Sequence, residues 1–256
     1  MHDKVAIVTG ASQGIGRATA VRLAREFGTL VLVARGADRL HDAEREIVAL
    51  GARVLVVARD LGDASAAADV VDRTLAAFGR IDALVNVAGA VPGVDVFRMT
   101  DAQWDSGFAL KFHGARRLTL GAWPALVAAR GSVVFLSGNA AAHPKPAQAA
   151  IGAVNAAIEA LAKAFSERGV VDGVRVNSVS PGAVMTSRRQ GLLEEAARAQ
   201  EVSLDEMKGR FLRTAGIARF GEPEEVAELI AFALSDAARW MTGTVLRIDG
   251  GEVKSV

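Results

Sequence analysis

The stretch that decides the fold reads Val5-Ala6-Ile7-Val8-Thr9-Gly10-Ala11-Ser12-Gln13-Gly14-Ile15-Gly16. It begins with an uninterrupted apolar run, which is typical of a strand buried on both faces and predicts a strand near 4–9. Three glycines follow, and the residues near 15–27 have the pattern of an amphipathic helix. The stretch therefore predicts a strand, a tight glycine turn and a helix in succession.

This glycine turn has the composition of a phosphate-binding loop. Glycine lets the backbone turn sharply and approach a diphosphate with no Cβ in the way. The helix that follows offers free N–H groups and the positive end of its dipole. Between a first strand and a first helix, the pattern predicts dinucleotide binding, the alternative being a tight turn without a ligand. The expected contacts are Gly10, Ser12, Gln13, Gly14, Ile15 and Gly16.

The end of the second predicted strand bears on which dinucleotide is bound. NAD-binding proteins usually place Asp or Glu there, about 20 residues past the glycines. Here the strand ends at Ala34 and is followed by Arg35. A guanidinium pairs with a 2′-phosphate, and Ser12 can add a hydroxyl donor. We therefore expect NADP(H) in preference to NAD(H), the alternative being a solvated Arg35, and we interpret Asp38 as the cap of the next helix.

Short apolar runs and longer amphipathic segments alternate along the chain. They predict strands near 4–9, 30–34, 53–57, 82–86, 132–137, 174–179 and 244–248, and helices near 15–27, 39–50, 64–78, 101–128, 147–168 and 223–235. This order predicts a Rossmann-type α/β fold, a doubly wound parallel sheet between two helix layers, as one domain over 1–256. The long irregular region at about 183–222 follows the sixth strand. Since ligands bind beyond the carboxyl ends of such strands, we expect it to be a substrate lid.

Composition narrows the classes of function. The 256 residues are 51% hydrophobic with a formal net charge of +1, so nothing favours nucleic acid or an acidic membrane as partner. No stretch has the ~18–20 uncharged apolar residues that span a bilayer, and we find no secretory signal. There is no cysteine, and no histidines or carboxylates show ligand spacing, so no metal is expected. These features predict a cytoplasmic protein.

Five ordered motifs resemble those of the short-chain dehydrogenases/reductases. They are Thr9–Gly16, Asp60-Leu61, Asn86–Gly89, Arg175–Gly182, and Thr242-Gly243 with Asp249–Gly251. The resemblance implies hydride transfer between a nicotinamide and a carbonyl or alcohol group of a small-molecule substrate, in a homodimer or homotetramer. It also implies further cofactor contacts, namely Asp60 and Leu61 at the adenine, Asn86, Ala88 and Gly89 along the cofactor, and Pro181, Gly182, Val184 and Thr186 near the nicotinamide.

The residues that carry this family's chemistry are replaced. The resemblance implies a Ser-Tyr-Lys trio supported by an Asn, in which Tyr exchanges the proton, Lys lowers the Tyr pKa and Ser orients the substrate oxygen. On the family pattern, the Ser position is Gly138, the Tyr position Ile151, the Lys position Asn155 and the Asn position Lys111. The chain contains no tyrosine at all. We therefore expect a non-standard active site.

Two main hypotheses follow. In the first, Lys111 supplies the missing ammonium and the proton, because a lysine desolvated beside a positive nicotinamide has a pKa lowered toward neutrality. Asn155 would then hold the ribose hydroxyls, and Asn139 or Ser137 would polarise a substrate oxygen. In the second, the protein binds the dinucleotide without turnover, as a sensor or partner subunit. A lyase or isomerase using the same cleft is a third alternative.

Overall fold

The computed structural model describes residues 3–255; Met1, His2 and Val256 of the predicted domain lie outside them. Its centre is one parallel sheet of seven strands in the order β3-β2-β1-β4-β5-β6-β7. The strands are Val5–Thr9 (β1), Thr29–Ala34 (β2), Arg53–Ala58 (β3), Ala83–Asn86 (β4), Ser132–Leu136 (β5), Arg175–Pro181 (β6) and Val245–Ile248 (β7). All seven predicted strands are confirmed.

Helices cover both faces of this sheet. They are Gly14–Leu23 (α1), Ala37–Ala49 (α2), Ala66–Phe78 (α3), Asp101–Gly107 (α4), Ala115–Ala129 (α5), Ala149–Asp172 (α6), Ser187–Ala199 (α7), Leu204–Ala215 (α8) and Pro223–Leu234 (α9). The predicted continuous helix near 101–128 is interrupted, since a π-helical segment, Phe108–Gly114, joins α4 to α5. The predicted doubly wound α/β fold is confirmed.

Alternate residues of each central strand enter different cores. Val8 packs with Leu23 of α1 and Ile230 of α9 on one face of the sheet. Its neighbour Ile7 packs on the other face, in the core that contains Leu118 of α5 and Ile158 of α6. Because both faces are buried, the strand has no polar alternation, which explains its continuous apolar sequence.

The region 183–222 is not irregular, and that prediction is wrong. It contains α7 and α8, which pack around a small core that includes Leu193, Met207 and Phe220. Each helix is capped at its start: the Thr186 hydroxyl accepts from the N–H of Arg189, and the Ser203 hydroxyl accepts from that of Glu206. Helix α8 has apolar residues at helical spacing, at Leu204, Met207, Phe211 and Leu212, so its periodicity was an available signal, as were the two capping residues. Only α7 has a weak apolar pattern.

The sequence analysis interpreted Asp38 as the cap of its helix, and that interpretation is wrong. Helix α2 begins at Ala37, its N-cap is Gly36, and no side chain caps it. Asp38 instead lies in the first turn, where a carboxylate is favoured by the positive end of the helix dipole.

One helix among residues 3–255 is long and apolar enough to cross a membrane by length and composition alone. It is the segment Pro146–Asp172. Its most apolar stretch of 18 residues has a mean hydropathy of 1.2, and 44% of that stretch is buried inside the fold. This segment contains α6, whose Val154, Ile158 and Ala162 are buried. Packing against the rest of the protein therefore accounts for its apolar face.

Removing one cap tests the two-helix structure of this region. Ser203→Ala is expected to destabilise α8 by about 1 kcal/mol, because the N–H of Glu206 loses its acceptor. Hydrogen exchange of the α8 amides measures the change. Ser187→Ala, at an exposed position inside α7, is the matched control. Equal protection of α8 in both variants would contradict the capping assignment.

Candidate active site

A large hollow of the fold lies where the strand order reverses, between β1 and β4. Chains leave these strands in opposite directions, which opens a crevice at their carboxyl ends. The crevice holds a cavity of about 740 Å³. Many of the predicted cofactor residues line it, and we call it the cleft. They are Gly10, Ser12, Gln13, Gly14, Ile15, Gly16, Arg35, Leu61, Ala88, Gly89 and Thr186.

The glycine turn at the floor of the cleft has no room for a side chain at Gly10 or Gly16. A Cβ on Gly16 would lie 2.2 Å from the carbonyl oxygen of Gly10, and one on Gly10, whose φ is +68°, would lie 3.1 Å from the nitrogen of Ala88. Helix α1 starts with Gln13 as N-cap and has no side-chain cap. Its first N–H groups are thus available to an anion, so the turn fits a diphosphate.

The outer end of the cleft is rich in arginine. The Arg35 side chain is 69% exposed, and its guanidinium lies 4.0 Å from the Asp60 carboxylate. Arg39 and Arg59 also line the cleft, and sequence reasoning missed them. Arg39 donates to the side-chain oxygen of Gln13 at 2.6 Å, which ties α2 to the glycine turn. Arg39 lies in the first turn of α2, close in sequence to Arg35 just past the end of the second strand, and that closeness was the available signal.

Asp60, expected at the adenine, is used in a local turn. Its carboxylate accepts a hydrogen bond from the N–H of Gly62 at 2.9 Å, while the adjacent Leu61 lines the cleft. Asn86, expected along the cofactor, is buried and donates to the hydroxyl of Thr119 at 3.1 Å. Neither of these side chains is among those lining the cleft.

The residues expected near the nicotinamide are divided between two cavities. Pro181 ends β6, and Gly182 and Val184 line a neighbouring cavity of about 310 Å³. Thr186 lines the cleft itself and lies close over Gly14, since its methyl carbon is 3.3 Å from where a Gly14 Cβ would be. The start of α7 therefore covers the glycine turn.

Lys111 lies in the middle of the π-helical segment beside the cleft-lining Gly89, although Lys111 itself is not among the residues that line the cleft. Its side chain passes over Gly89, where an added Cβ would lie 2.9 Å from the Lys111 Cδ. The ammonium donates to the side-chain oxygen of Asn155 at 2.5 Å and to the carbonyl oxygen of Ser137 at 3.0 Å. An ammonium has three N–H donors. Two are used by these acceptors, and the third has no acceptor among residues 3–255.

The surroundings of Lys111 change its acidity. Burial, and to a smaller degree the positive charge of Arg188, lower the pKa of Lys111 to about 8, while the negative charge of Glu159 opposes them. The group is thus mostly protonated at neutral pH and can both give and take a proton near it. The sequence analysis expected a lowered pKa for this lysine from desolvation beside a nicotinamide; here burial by the protein itself is the largest cause.

Asn155 fits the space that Gly138 leaves. Its side chain is buried, and a Cβ on Gly138 would lie only 2.8 Å from the Asn155 amide nitrogen. Next to it, Ile151 packs with Trp104, Phe108 and the buried Val91 and Val154. Lys111 and Asn155, which the sequence paired, are in direct contact, beside an apolar wall.

Ser137 and Asn139 are not brought to the cleft by their side chains. The Ser137 hydroxyl donates to the Glu159 carboxylate at 2.7 Å and lies 3.3 Å from the carbonyl oxygen of Val179. Its backbone carbonyl, rather than its hydroxyl, contacts Lys111. Asn139 lines a separate cavity of about 260 Å³ together with His143. Sequence reasoning missed Glu159, which lies four residues after Asn155 on α6 and so shares its face.

The parallel sheet, its reversal point and the glycine turn define a dinucleotide-binding α/β protein. Residues 10–252 match the model of a family described as enoyl-(acyl carrier protein) reductase. The chain belongs to the short-chain dehydrogenase/reductase family, as its motifs predicted.

Two reductases with solved structures and one curated relative are similar over nearly their whole length. The 3-oxoacyl-[acyl-carrier-protein] reductase of Thermotoga maritima is 31% identical, over 99% of both chains. L-Sorbose reductase from Gluconobacter frateurii, complexed with NADPH and L-sorbose, has a TM-score of 0.94 and 32% identity, over 100% of this chain and 98% of that one. An actinorhodin polyketide ketoreductase with NADPH has a TM-score of 0.91 and 27% identity, over 98% and 97%.

The contact between positions 138 and 155 can be tested by refilling the first. Gly138→Ser is expected to destabilise the protein by about 1–3 kcal/mol, because the added Cβ would collide with the Asn155 amide. The midpoint of urea unfolding measures it. Adding Asn155→Ala should recover part of the loss, and Gly191→Ser, where nothing lies within 4 Å, is the control. Equal midpoints for Gly138→Ser and the control would contradict this packing.

Proposed function

We propose that the protein is an NADP(H)-dependent oxidoreductase that acts on a ketone or secondary alcohol through a non-standard active site centred on Lys111. The observation that carries the proposal is the Lys111 ammonium, held by Asn155 and the Ser137 carbonyl beside the glycine turn's cleft. With no tyrosine in the chain, the proton must come from another group. The positions that the family pattern assigns to Ser and Tyr hold Gly138 and Ile151.

The proposed preference for NADP(H) rests on the arginines at the outer end of the cleft. Arg35 follows β2 and is exposed there, and Arg39 and Arg59 line the same region. The guanidinium groups of Arg35 and Arg39 suit a phosphate on the adenosine ribose, since Arg binds phosphate with paired N–H donors. Arg59, in contrast, already donates to the Asp69 carboxylate at 2.6 Å. Relatives described with NADPH bound support the same preference. The glycine turn would hold the diphosphate.

The chemistry divides between cofactor and protein. When bound, the reduced nicotinamide supplies a hydride to the carbonyl carbon and is itself oxidised. Lys111 holds a proton at Nζ on the N–H left free by Asn155 and Ser137, and releases it to the carbonyl oxygen as the alkoxide forms. The amine then regains a proton from water. In the opposite direction, neutral Lys111 accepts the proton of the alcohol.

The substrate class follows from the site and the relatives together. The relatives are described as reductases of L-sorbose, a 3-oxoacyl thioester and a polyketide, which are all ketones. Ile151, Phe108 and Trp104 give this chain an apolar wall near Lys111. We therefore propose a small ketone with an apolar group beside the carbonyl, enclosed by α7 and α8 as a lid.

We also propose a homodimer or homotetramer. The support is exposed apolar surface: Trp240 is 99% and Val171 is 82% exposed. A further apolar hollow lies between α5 and α6, lined by Leu120, Trp123, Leu161, Ala164 and Phe165. Exposed apolar patches of this kind mark sites where proteins associate.

Substitution of Lys111 tests its role as the acid. Lys111→Met should lower kcat/KM for NADPH-dependent ketone reduction roughly 10²- to 10⁴-fold, since the proton donor is lost. The wild-type rate should fall as pH rises through about 8, where the ammonium deprotonates, and oxidation of the alcohol should rise. Steady-state rates over a ketone panel measure both.

The control is Lys163→Met, at an exposed lysine of α6 that pairs with Glu167. Fluorescence titration with NADPH shows whether each variant still binds the cofactor. Unchanged reduction by Lys111→Met would remove Lys111 from the chemistry. Tight NADPH binding by the wild-type protein with no turnover of any ketone would instead establish the binding-only alternative.

Arg35→Ala tests the cofactor preference. It should raise KM for NADPH about 10- to 100-fold and leave KM for NADH nearly unchanged, because only NADPH carries the 2′-phosphate. Arg45→Ala, on the exposed face of α2 where Arg45 pairs with Asp42, is the control. Equal use of both cofactors by the wild-type protein would contradict the preference.

A further inference from the structure

Glu159 is an acidic side chain behind the active site. It lies four residues after Asn155 on α6, so both side chains leave the same face of the helix. Its carboxylate accepts the hydroxyl hydrogen bond of Ser137 at 2.7 Å, and Ser137 is buried. Glu159 is only partly exposed and makes no salt bridge among residues 3–255. The Glu159 carboxylate therefore binds one buried serine rather than a cationic side chain.

Ser137 is held on three sides. Its N–H donates to the carbonyl oxygen of Val179 at 2.9 Å, which continues the pairing of β5 with β6. Its hydroxyl donates to Glu159, and its carbonyl oxygen accepts from the Lys111 ammonium at 3.0 Å. The direction of this carbonyl, on which Lys111 depends, is thus fixed in part by Glu159.

The lysine itself has little freedom. Gly89 leaves only the width of its methylene chain, and Asn155 holds its end at 2.5 Å. Asn155 and Glu159 are carried by one helix, one turn apart. Both anchors of the ammonium, the Asn155 oxygen and the Ser137 carbonyl, are therefore set by the same face of α6.

We infer that Glu159 is a positioning residue for Lys111: through Ser137 it fixes the carbonyl that holds the ammonium, and its negative charge favours the ammonium over the neutral amine. This role rests on the proposed function of Lys111. In this role Glu159 touches neither substrate nor cofactor, and it acts on Lys111 only through Ser137 and through its own negative charge.

The charges that face Lys111 make the role specific. Glu159 from α6 favours the ammonium, whereas Arg188 from α7 and burial both favour the neutral amine. Arg188 is held at this place by its hydrogen bond to the carbonyl oxygen of Val91 at 3.0 Å. Because Glu159 is the one acidic side chain among the causes that shift this pKa, its loss leaves Arg188 and burial unopposed. The pKa of Lys111 should then fall below about 8.

The test measures the titration of Lys111 in the full chain without relying on turnover. Nuclear magnetic resonance of the lysine side chains, with the Lys111 signal assigned from its loss in Lys111→Met, gives the titration midpoint across the neutral and alkaline range. Glu159→Gln keeps the shape of the side chain and its hydrogen bond to Ser137 but removes the charge. We expect the midpoint to fall by about half a pH unit or more.

Two further variants separate charge from position. Glu159→Asp keeps the negative charge but moves it away from Ser137. Ser137→Ala removes the hydroxyl and keeps the backbone carbonyl. Both variants should shift the Lys111 midpoint less than Glu159→Gln does. Glu167→Gln, on the exposed side of α6, is the control and should leave it unchanged.

The result that overturns the inference is a Lys111 midpoint in folded Glu159→Gln equal to that of wild type. If Glu159→Gln does not fold, Glu159→Asp and Ser137→Ala decide: wild-type midpoints in both refute the role. Where ketone reduction is measurable, its alkaline limb should move with the midpoint. A shifted midpoint without any turnover would support Glu159 as the residue that sets Lys111 while refuting catalysis, so the two proposals can fail separately.

Discussion

The shape of the cleft depends on the hydroxyl of Thr9 at the end of β1. This buried oxygen accepts hydrogen bonds from the N–H groups of Val87 and Ala88, at 2.9 and 3.0 Å, just past the end of β4. The chain segments that follow β1 and β4 diverge at this point, and these two hydrogen bonds hold them at a fixed distance. Gly10 can approach Ala88 so closely only because it has no Cβ. The same anchoring sets the path of the next residue, Gly89, along which Lys111 enters.

The inner end of the cleft is built from complementary small and large residues. Gly89 makes room for the chain of Lys111, and Gly138 makes room for the amide of Asn155. The π-helical segment widens the turn that carries Lys111, and such segments occur often at functional sites. Gly89 and Gly138 thus each leave the space that a larger neighbouring side chain fills. A serine at 138 would need space that Asn155 occupies, since its Cβ would lie 2.8 Å from the Asn155 amide nitrogen.

Several parts of this structure could be predicted from sequence because they rest on local rules. Strands buried on both faces have continuous apolar sequences, and a glycine turn between strand and helix has few other uses, so β1 and the residues from Gly10 to Gly16 were identified. Helices α7 and α8 were not: α7 has only a short apolar pattern, while the apolar spacing of α8 and the caps of both helices were signals that the sequence analysis overlooked. The direction of the Ser137 hydroxyl was out of reach. It depends on Glu159, which lies 22 positions away in the chain.

The energetics of Lys111 argue for chemistry rather than cofactor binding alone. Moving an ammonium out of water is costly unless its donors are satisfied, and here two acceptors serve three N–H groups. Phosphate recognition needs no such group here, because the glycine turn and the arginines at the outer end of the cleft already offer donors for it. A methionine would fill the groove over Gly89 without the cost of burying a charge. A group whose pKa is lowered to about 8 suits the proton transfer that we propose, since it can donate and accept a proton near neutral pH.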